Sequence, residues 1–350
     1  MKKPNNRPIL GIAMGDPGGV GPEVCVKALS EQAVYDRCRP LVIGDASIIA
    51  DALRFTGLGL RVRTCVSVTD ARFAHGVIDV LDMDNLPIET LRYKTVTAAQ
   101  GRASFEYVAK AIELALAREI DATVTGPISK AALNAAGIDY AGHTEIYADK
   151  TGTRDYAMML AEGSFRVTHV STHVSLREAC DRVKKDRIVR VIRLTDSTLK
   201  GLGIAAPRIA VAGLNPHCSE DGLFGWEEER EIIPAIREAA AEGIDAEGPV
   251  PADTVFSKMK GGMFDAVVVM YHDQGHIPTK LVGFQYDEKT DSWGQMAGIN
   301  VTLGLPIIRT SVDHGTAFDR AGENRANPQS MLEAIDMAIA LAGSSQPGSG

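Results

Sequence analysis

The run Phe264-Asp265-Ala266-Val267-Val268-Val269-Met270, cut off by Tyr271-His272-Asp273-Gln274-Gly275-His276-Ile277-Pro278-Thr279-Lys280, constrains this chain more than any other stretch. It is short, apolar and rich in β-branched residues, which predicts a strand buried on both faces, as in a parallel sheet flanked by helices. At its end the side chains change abruptly from core to chemistry. Ligands of open α/β sheets sit beyond the carboxyl ends of strands, and that is where His272, Asp273, His276 and Lys280 fall. A polar loop capped by histidines accounts for the same residues equally well.

The remainder alternates in the same way. Strands are expected at 9–14, 41–44, 62–68, 122–125, 157–160, 165–170 and 208–214, with a glycine-punctuated strand region at 298–308. Helices are expected at 22–29, 46–55, 95–119, 130–136, 186–202, 227–241 and 328–341, and others open at Gly142 and near Asp253. Asp45 and Ser129 stand where helix caps belong. Alternating strands and helices predict an α/β fold. The turn Gly15-Asp16-Pro17-Gly18-Gly19-Val20-Gly21-Pro22-Glu23 lacks GxGxxG spacing, and Asp16 and Glu23 would repel a pyrophosphate. A structural strand-to-helix turn is expected there.

With 350 residues, 45% of them hydrophobic, the chain is long for one core, and two domains are expected. A formal net charge of -8 without a basic block argues against nucleic acid or an anionic membrane as partner. No window approaches the roughly 18 apolar residues of a membrane span, and residues 1–8 do not resemble a signal peptide. Five scattered cysteines without a CxxC pair fit a reduced, cytoplasmic protein.

Three histidines, His173, His217 and His272, each follow an apolar strand-like run, so a parallel sheet can bring them to one edge. With the carboxylate of Asp253 they would make a site suited to Zn²⁺, Co²⁺ or Ni²⁺, although Asp253 is equally well placed to cap a helix. Lys280, Arg309 and the amide of Asn300 can together hold a phosphate or carboxylate.

The stretch Asp313-His314-Gly315-Thr316-Ala317-Phe318-Asp319-Arg320-Ala321-Gly322, followed by Ala326-Asn327-Pro328, resembles the adenosine-binding loop of the isocitrate and isopropylmalate dehydrogenase superfamily. Gly15-Asp16-Pro17, Gly142-His143-Thr144-Glu145, Thr172-His173, Asn215-Pro216-His217, Pro251-Ala252-Asp253-Thr254, His272-Asp273-Gln274-Gly275 and the 300–306 segment resemble, in order, the 4-hydroxythreonine-4-phosphate dehydrogenase (PdxA) family. The likeness runs from about Ile9 to Leu341.

It implies a two-domain α/β fold of the isocitrate/isopropylmalate dehydrogenase type with the active site in the interdomain cleft. The first lobe would comprise 1–140 with 305–342 and the second 141–304, leaving 343–350 as a disordered tail. It also implies a homodimer in which His173, His217 and His272 bind one divalent ion, with zinc favoured over cobalt, nickel, manganese or magnesium, and Asp253 reaches that site from the partner subunit. His143 and Thr144 would contact substrate, while Lys280, Asn300 and Arg309 hold its phosphate. His314, Gly315, Thr316, Ala317 and Asn327 would meet adenosine, and Asp319 the ribose hydroxyls, which favours NAD over NADP.

The implied reaction is oxidation of the C3 hydroxyl of a four-carbon phosphorylated acid, followed by decarboxylation. The proton acceptor stays open among His143, Lys130 and a metal-bound water. His276, the long 283–297 excursion and Ser171-Thr172-His173-Val174-Ser175-Leu176 look more like the branch acting on 4-phospho-D-threonate and 4-phospho-D-erythronate, with dihydroxyacetone phosphate as product. The rivals are the vitamin B6 enzyme itself, a dehydrogenase of cyclic dihydrodiol acids and, from other classes, a metal-dependent hydrolase or a non-catalytic metabolite-binding protein. The His-Gly-Thr-Ala loop argues against the last two.

Overall fold

The computed structural model describes residues 7–288 and 292–344, and the chain divides into two compact units, Met1–Thr153 with Leu305–Gly350, and Arg154–Gly304. Within the first, strands lie in the order Arg61–Cys65, Val77–Asp82, Arg39–Gly44, Ile9–Ala13, Ala122–Thr125 and Arg309–Val312. Every pairing among them is parallel. The central strands are apolar because both faces are covered: Leu10, Ile12, Leu41, Ile43 and Val124 are all sealed from solvent.

The long helix Ala98–Leu116 is started by Thr97, whose hydroxyl accepts the Gln100 N–H at 3.2 Å. Its face of Ala103, Tyr107, Val108, Ala111, Ile112 and Ala115 is buried, and Gly101 meets the backbone of Ala132 on the helix Lys130–Ala135. Ser129 caps that second helix through the Ala132 N–H, at 3.2 Å.

Asp45 does not cap as expected. Its carboxylate accepts from the Asn85 N–H and the Tyr107 hydroxyl, while Asp82 accepts the N–H of Ala46 at 3.0 Å and so serves the helix Ala46–Thr56. The helix His143–Thr151, which lies beyond the expected lobe boundary at residue 140, belongs to this first unit. Ring contacts hold it there: Phe105 stacks on Tyr140, Lys150 lies over Phe105, and Tyr140 bonds Asp149. The last helix, Gln329–Ser344, runs into the expected tail, and residues 345–350 of that tail lie outside the described residues.

The second unit orders its strands Ile299–Leu303, Ala157–Glu162, Phe165–His169, Ala266–Val269, Ile209–Ala212 and Ala246–Val250. The first two pairings are antiparallel and the rest parallel. Phe165, Val167, Ala210, Val255, Phe264 and Val267 share one core cluster. Of the region expected as strand at 298–308 only Ile299–Leu303 is strand, and the next strand, Arg309–Val312, follows it in the first unit. The excursion before it is a hairpin, Phe284–Asp287 with Ser292–Met296; residues 289–291 lie outside the described residues, as do 1–6. No helix among the described residues is long and apolar enough to cross a membrane, and the five cysteines are free.

At Gly101 an added methyl group would collide with the Ala132 carbonyl, and backbone atoms on both sides leave little room to yield. Gly101→Ala is expected to destabilise the protein by about 1–3 kcal/mol, as overpacking does, and urea unfolding checks it.

Candidate functional site

In the second unit the strands Phe165–His169, Ala266–Val269 and Ile209–Ala212 are adjacent and parallel, so the segments that follow them leave the sheet at one edge. Those segments carry His173, His272 and His217. The strand Ala266–Val269 passes directly into the helix His272–Gly283, which replaces the polar loop considered from sequence and puts His272 in its first turn. Helical geometry then stacks His276 one turn on against His272, with ring centroids 3.5 Å apart and planes 11° from parallel.

The rings of His173 and His272 lie 5.7 Å apart and tilted by 47°. Two imidazoles sharing a tetrahedral ion would have centroids roughly 5 Å apart, so this pair has nearly the required spacing. The Nδ1 of His272 is engaged by the Asp273 carboxylate at 2.7 Å, which leaves Nε2 for a ligand, a common arrangement behind metal-binding histidines. An open cavity of about 440 Å³ adjoins them, lined by Thr172, His173, Ser175, Tyr271, His272 and Asp273.

His217 does not join the pair. Among the described residues no three His, Cys, Asp or Glu side chains gather closely enough to hold a metal ion. His217 is exposed on a run of left-handed, non-glycine residues, His217 (φ 52), Cys218 (φ 55), Ser219 (φ 68), Glu220 (φ 44) and Asp221 (φ 56). Such a backbone costs roughly 1–2 kcal/mol per residue, so it must be held from outside. Glu228, which is buried, holds its base: the carboxylate accepts the N–H groups of Leu214 and Asn215 and the Asn215 amide, at 2.7–2.8 Å. Gln274 ties the same point to the histidine helix, donating to Gly213 O at 2.8 Å and accepting from Met270 N at 2.7 Å. Asp253 is exposed in the first turn of Ala252–Lys260. Burial first, and then the charges of Glu228 and Asp253, push the Cys218 thiol up.

The supporting residues Glu228 and Gln274 were missed from sequence. Gln274 stands inside a recognised motif, where the polar neighbours draw the attention, and Glu228 is one carboxylate of an acidic helix start with nothing local to mark it. His169 ends the strand Phe165–His169. It is fully buried, its Nδ1 facing the Met158 carbonyl at 3.2 Å, and its ring lies 4.9 Å from that of His276. Burial, then the neighbouring His276, depress its pKa to about 3; burial, then His272, depress that of His276 to about 4.

The first unit has its own cavity, about 150 Å³, lined by Lys130, Leu133, Gly142, His143, Ser311 and His314 among others. Two expected catalytic candidates, Lys130 and His143, thus share a wall with one residue of the expected adenosine loop. His143 Nε2 is sealed from solvent and has no hydrogen-bond partner among the described residues, and burial, followed by the charge of Arg309, holds its pKa well below the ordinary histidine value. Burial likewise lowers His314, whose Nδ1 bonds the Gly315 carbonyl at 2.9 Å. Thr144 follows His143 in the first helical turn.

Arg309 is 2% exposed, lies over the Tyr147 ring at 5.6 Å and donates to the Thr125 hydroxyl at 3.1 Å. Burial lowers its pKa to about 10. Lys280 is exposed, with its ammonium 5.5 Å from the Phe284 ring, and Asn300 lies opposite Leu160 in the second unit. Beyond His314, Ala317 takes a left-handed conformation (φ 41), Asp319 is exposed beside Arg320 at 3.4 Å, and the Asn327 amide oxygen accepts from Gln329 N at 2.8 Å.

These features define a chain of the isocitrate/isopropylmalate dehydrogenase fold. A β-decarboxylating dehydrogenase from Thermococcus kodakarensis shares that fold, with a TM-score of 0.51 at 13% identity over 94% of this chain and 82% of the other. The chain belongs to the PdxA family, described as pyridoxal phosphate biosynthetic protein PdxA, whose pattern matches residues 36–338. It is 46% identical over 95% of its length, and 96% of the other's, to a Symbiobacterium thermophilum protein named "Putative D-threonate 4-phosphate dehydrogenase". A crystal structure of a 4-hydroxythreonine-4-phosphate dehydrogenase from Burkholderia phymatum matches with a TM-score of 0.81 and 44% identity, covering 96% of this chain and 99% of that one.

The depressed pKa of His169 gives a pH signature. In the unfolded chain this histidine takes a proton below about 6.5, whereas in the fold it stays neutral down to about 3. The unfolded state then binds more protons, so stability is present above 6.5 and is lost as the pH falls through that window. His169→Gln should remove a slope of up to about 1.4 kcal/mol per pH unit between pH 6 and 4, measured by chemical denaturation at several pH values.

Proposed function

We propose that this protein is an NAD-linked, metal-dependent dehydrogenase that oxidises the C3 hydroxyl of 4-phospho-D-threonate or 4-phospho-D-erythronate, with decarboxylation to dihydroxyacetone phosphate. The observation that carries this reading is the 46% identity, over nearly the whole of both chains, to a protein named for D-threonate 4-phosphate. The donor set supports it. His173 and His272 have nearly the ring spacing of two ligands on one divalent ion, His272 keeps its Nε2 on the side away from Asp273, and His217 follows the neighbouring strand.

A divalent ion bound by these histidines would acidify the substrate hydroxyl and stabilise negative charge on oxygen, and NAD⁺ would take the hydride. The chain's own residues do the rest. His143, held neutral, offers its unpartnered Nε2 to a substrate oxygen as a hydrogen-bonding group. Its low basicity makes it a poor place to leave a proton, so Lys130, exposed on the same cavity, is assigned to pass protons to water. Arg309, kept rigid by Tyr147 and Thr125, supplies donors for a phosphate in the first unit, and Lys280 and Asn300 carry donors of the same kind in the second. Asp319 can accept from ribose hydroxyls and would repel a 2′-phosphate. Exposed Leu176, Leu223, Ile277 and Leu281, all in the second unit, support a homodimer that covers apolar surface.

The name of the Burkholderia relative favours a second reading, with a 2-amino substrate and a role in vitamin B6 synthesis. NADH formation with a divalent metal present, from 4-phospho-D-threonate, 4-phospho-D-erythronate and 4-phosphohydroxy-L-threonine, separates the two. The expected outcome is a kcat/KM at least about tenfold higher for a 2-hydroxy acid, a difference of about 1.4 kcal/mol, and NAD⁺ preferred to NADP⁺. A higher value for the amino acid would establish the second reading.

A further inference from the structure

The glycine-rich turn after the first strand has no part in the reaction above, yet it touches both pieces of the loop assigned to the dinucleotide's adenosine end. The Val20 N–H donates to the Thr316 carbonyl at 3.0 Å. Gly19 lies so close that an added Cβ would fall 2.9 Å from both Thr316 Cβ and the Thr316 carbonyl oxygen. One turn further on, Glu23, 1% exposed, accepts the Ala326 N–H at 2.7 Å. Its i,i+4 partner Lys27 donates to Ala326 O at 2.8 Å and to Glu23 at 2.7 Å. Both backbone polar groups of Ala326 are therefore gripped by one ion pair on the helix Gly21–Ala28.

The gripped segment needs such a hold. Between Asp313 and Pro328 the chain forms neither helix nor strand, so ordering it against a ligand would cost conformational entropy residue by residue. A segment already fixed at Thr316 and Ala326 has met most of that cost before the ligand arrives. A buried ion pair is a poor source of stability by itself, and one whose two charges both serve the same remote peptide is better understood through what that peptide does.

We propose that Gly19, Glu23 and Lys27 are positioning residues for the dinucleotide: a clamp that holds the 314–317 and 326–327 segments in their binding conformation. The inference rests on the dinucleotide reading given above. Calorimetric titration of the full chain with NADH, alongside steady-state kinetics, tests it with Lys27→Met, Gly19→Ala, Glu23→Ala and Glu23→Gln.

Loss of a charged hydrogen bond predicts NADH binding weakened about tenfold or more in Lys27→Met and Glu23→Ala, and the collision with Thr316 predicts a similar loss in Gly19→Ala. Glu23→Gln, which keeps an oxygen for the Ala326 N–H, should recover most of the affinity. The KM for dinucleotide should rise by the same factor, with the KM for the phosphorylated acid changing less than about threefold. Should Glu23→Ala fail to fold, Lys27→Met keeps the test intact, since that side chain is 19% exposed and Met retains its apolar stem. Unchanged NADH affinity in Lys27→Met and Gly19→Ala, or parallel rises in both KM values, would overturn the clamp while leaving the cofactor reading in place. No NADH binding by the unaltered chain would overturn both.

Discussion

The parallel ladder joining Phe165–His169, Ala266–Val269 and Ile209–Ala212 is the constraint on which the second unit's chemistry depends. Val267 pairs with Val167 on one side and Ala210 on the other, so the three strands run in step and release their following segments at one edge. A parallel sheet has no cheaper way to bring distant histidines together, because the register that buries the valines also sets where each strand stops. Cross-links beyond the strand ends maintain the arrangement: the Ser171 hydroxyl donates to Met270 O, and Gln274 spans Met270 and Gly213.

The first unit uses the same principle with different chemistry. Its strands end near a cavity where burial strips charge from His143 and His314, and where Arg309 is fixed by an aromatic face and a hydroxyl. Neutral imidazoles and a rigid guanidinium suit recognition of an anionic, hydroxylated molecule, since the cation attracts and the imidazoles hydrogen-bond without adding charge. The glycine-rich turn holds the neighbouring loop from behind, through backbone and ion-pair contacts that no local spacing announces.

What could be read from sequence follows from this division. Ala266–Val269 was legible because burial on both faces leaves a compositional mark, and Ser129 was legible as a cap because its partner lies three residues away. Asp45 misled for the converse reason: a carboxylate before a helix caps it only if nothing more distant competes, and Tyr107 and Asn85 do. His173 and His272 could be placed on one edge from strand order alone. The left-handed turn that keeps His217 apart could not, because its residues carry no glycine signal and its anchor, Glu228, lies more than ten residues away. The histidine helix leaves no plain mark in the sequence, because a proline, Pro278, stands inside it.

X-ray absorption on the zinc-loaded, dialysed protein would test the central proposal most directly: that His217, which its left-handed turn holds apart here, joins His173 and His272 on one ion when the metal is bound. The account predicts retained zinc with three imidazole nitrogens at about 2.0–2.1 Å and oxygen completing the shell, with one imidazole fewer in His217→Ala. Zinc lost on dialysis, or a shell of sulfur and carboxylate that His217→Ala leaves unchanged, would contradict it.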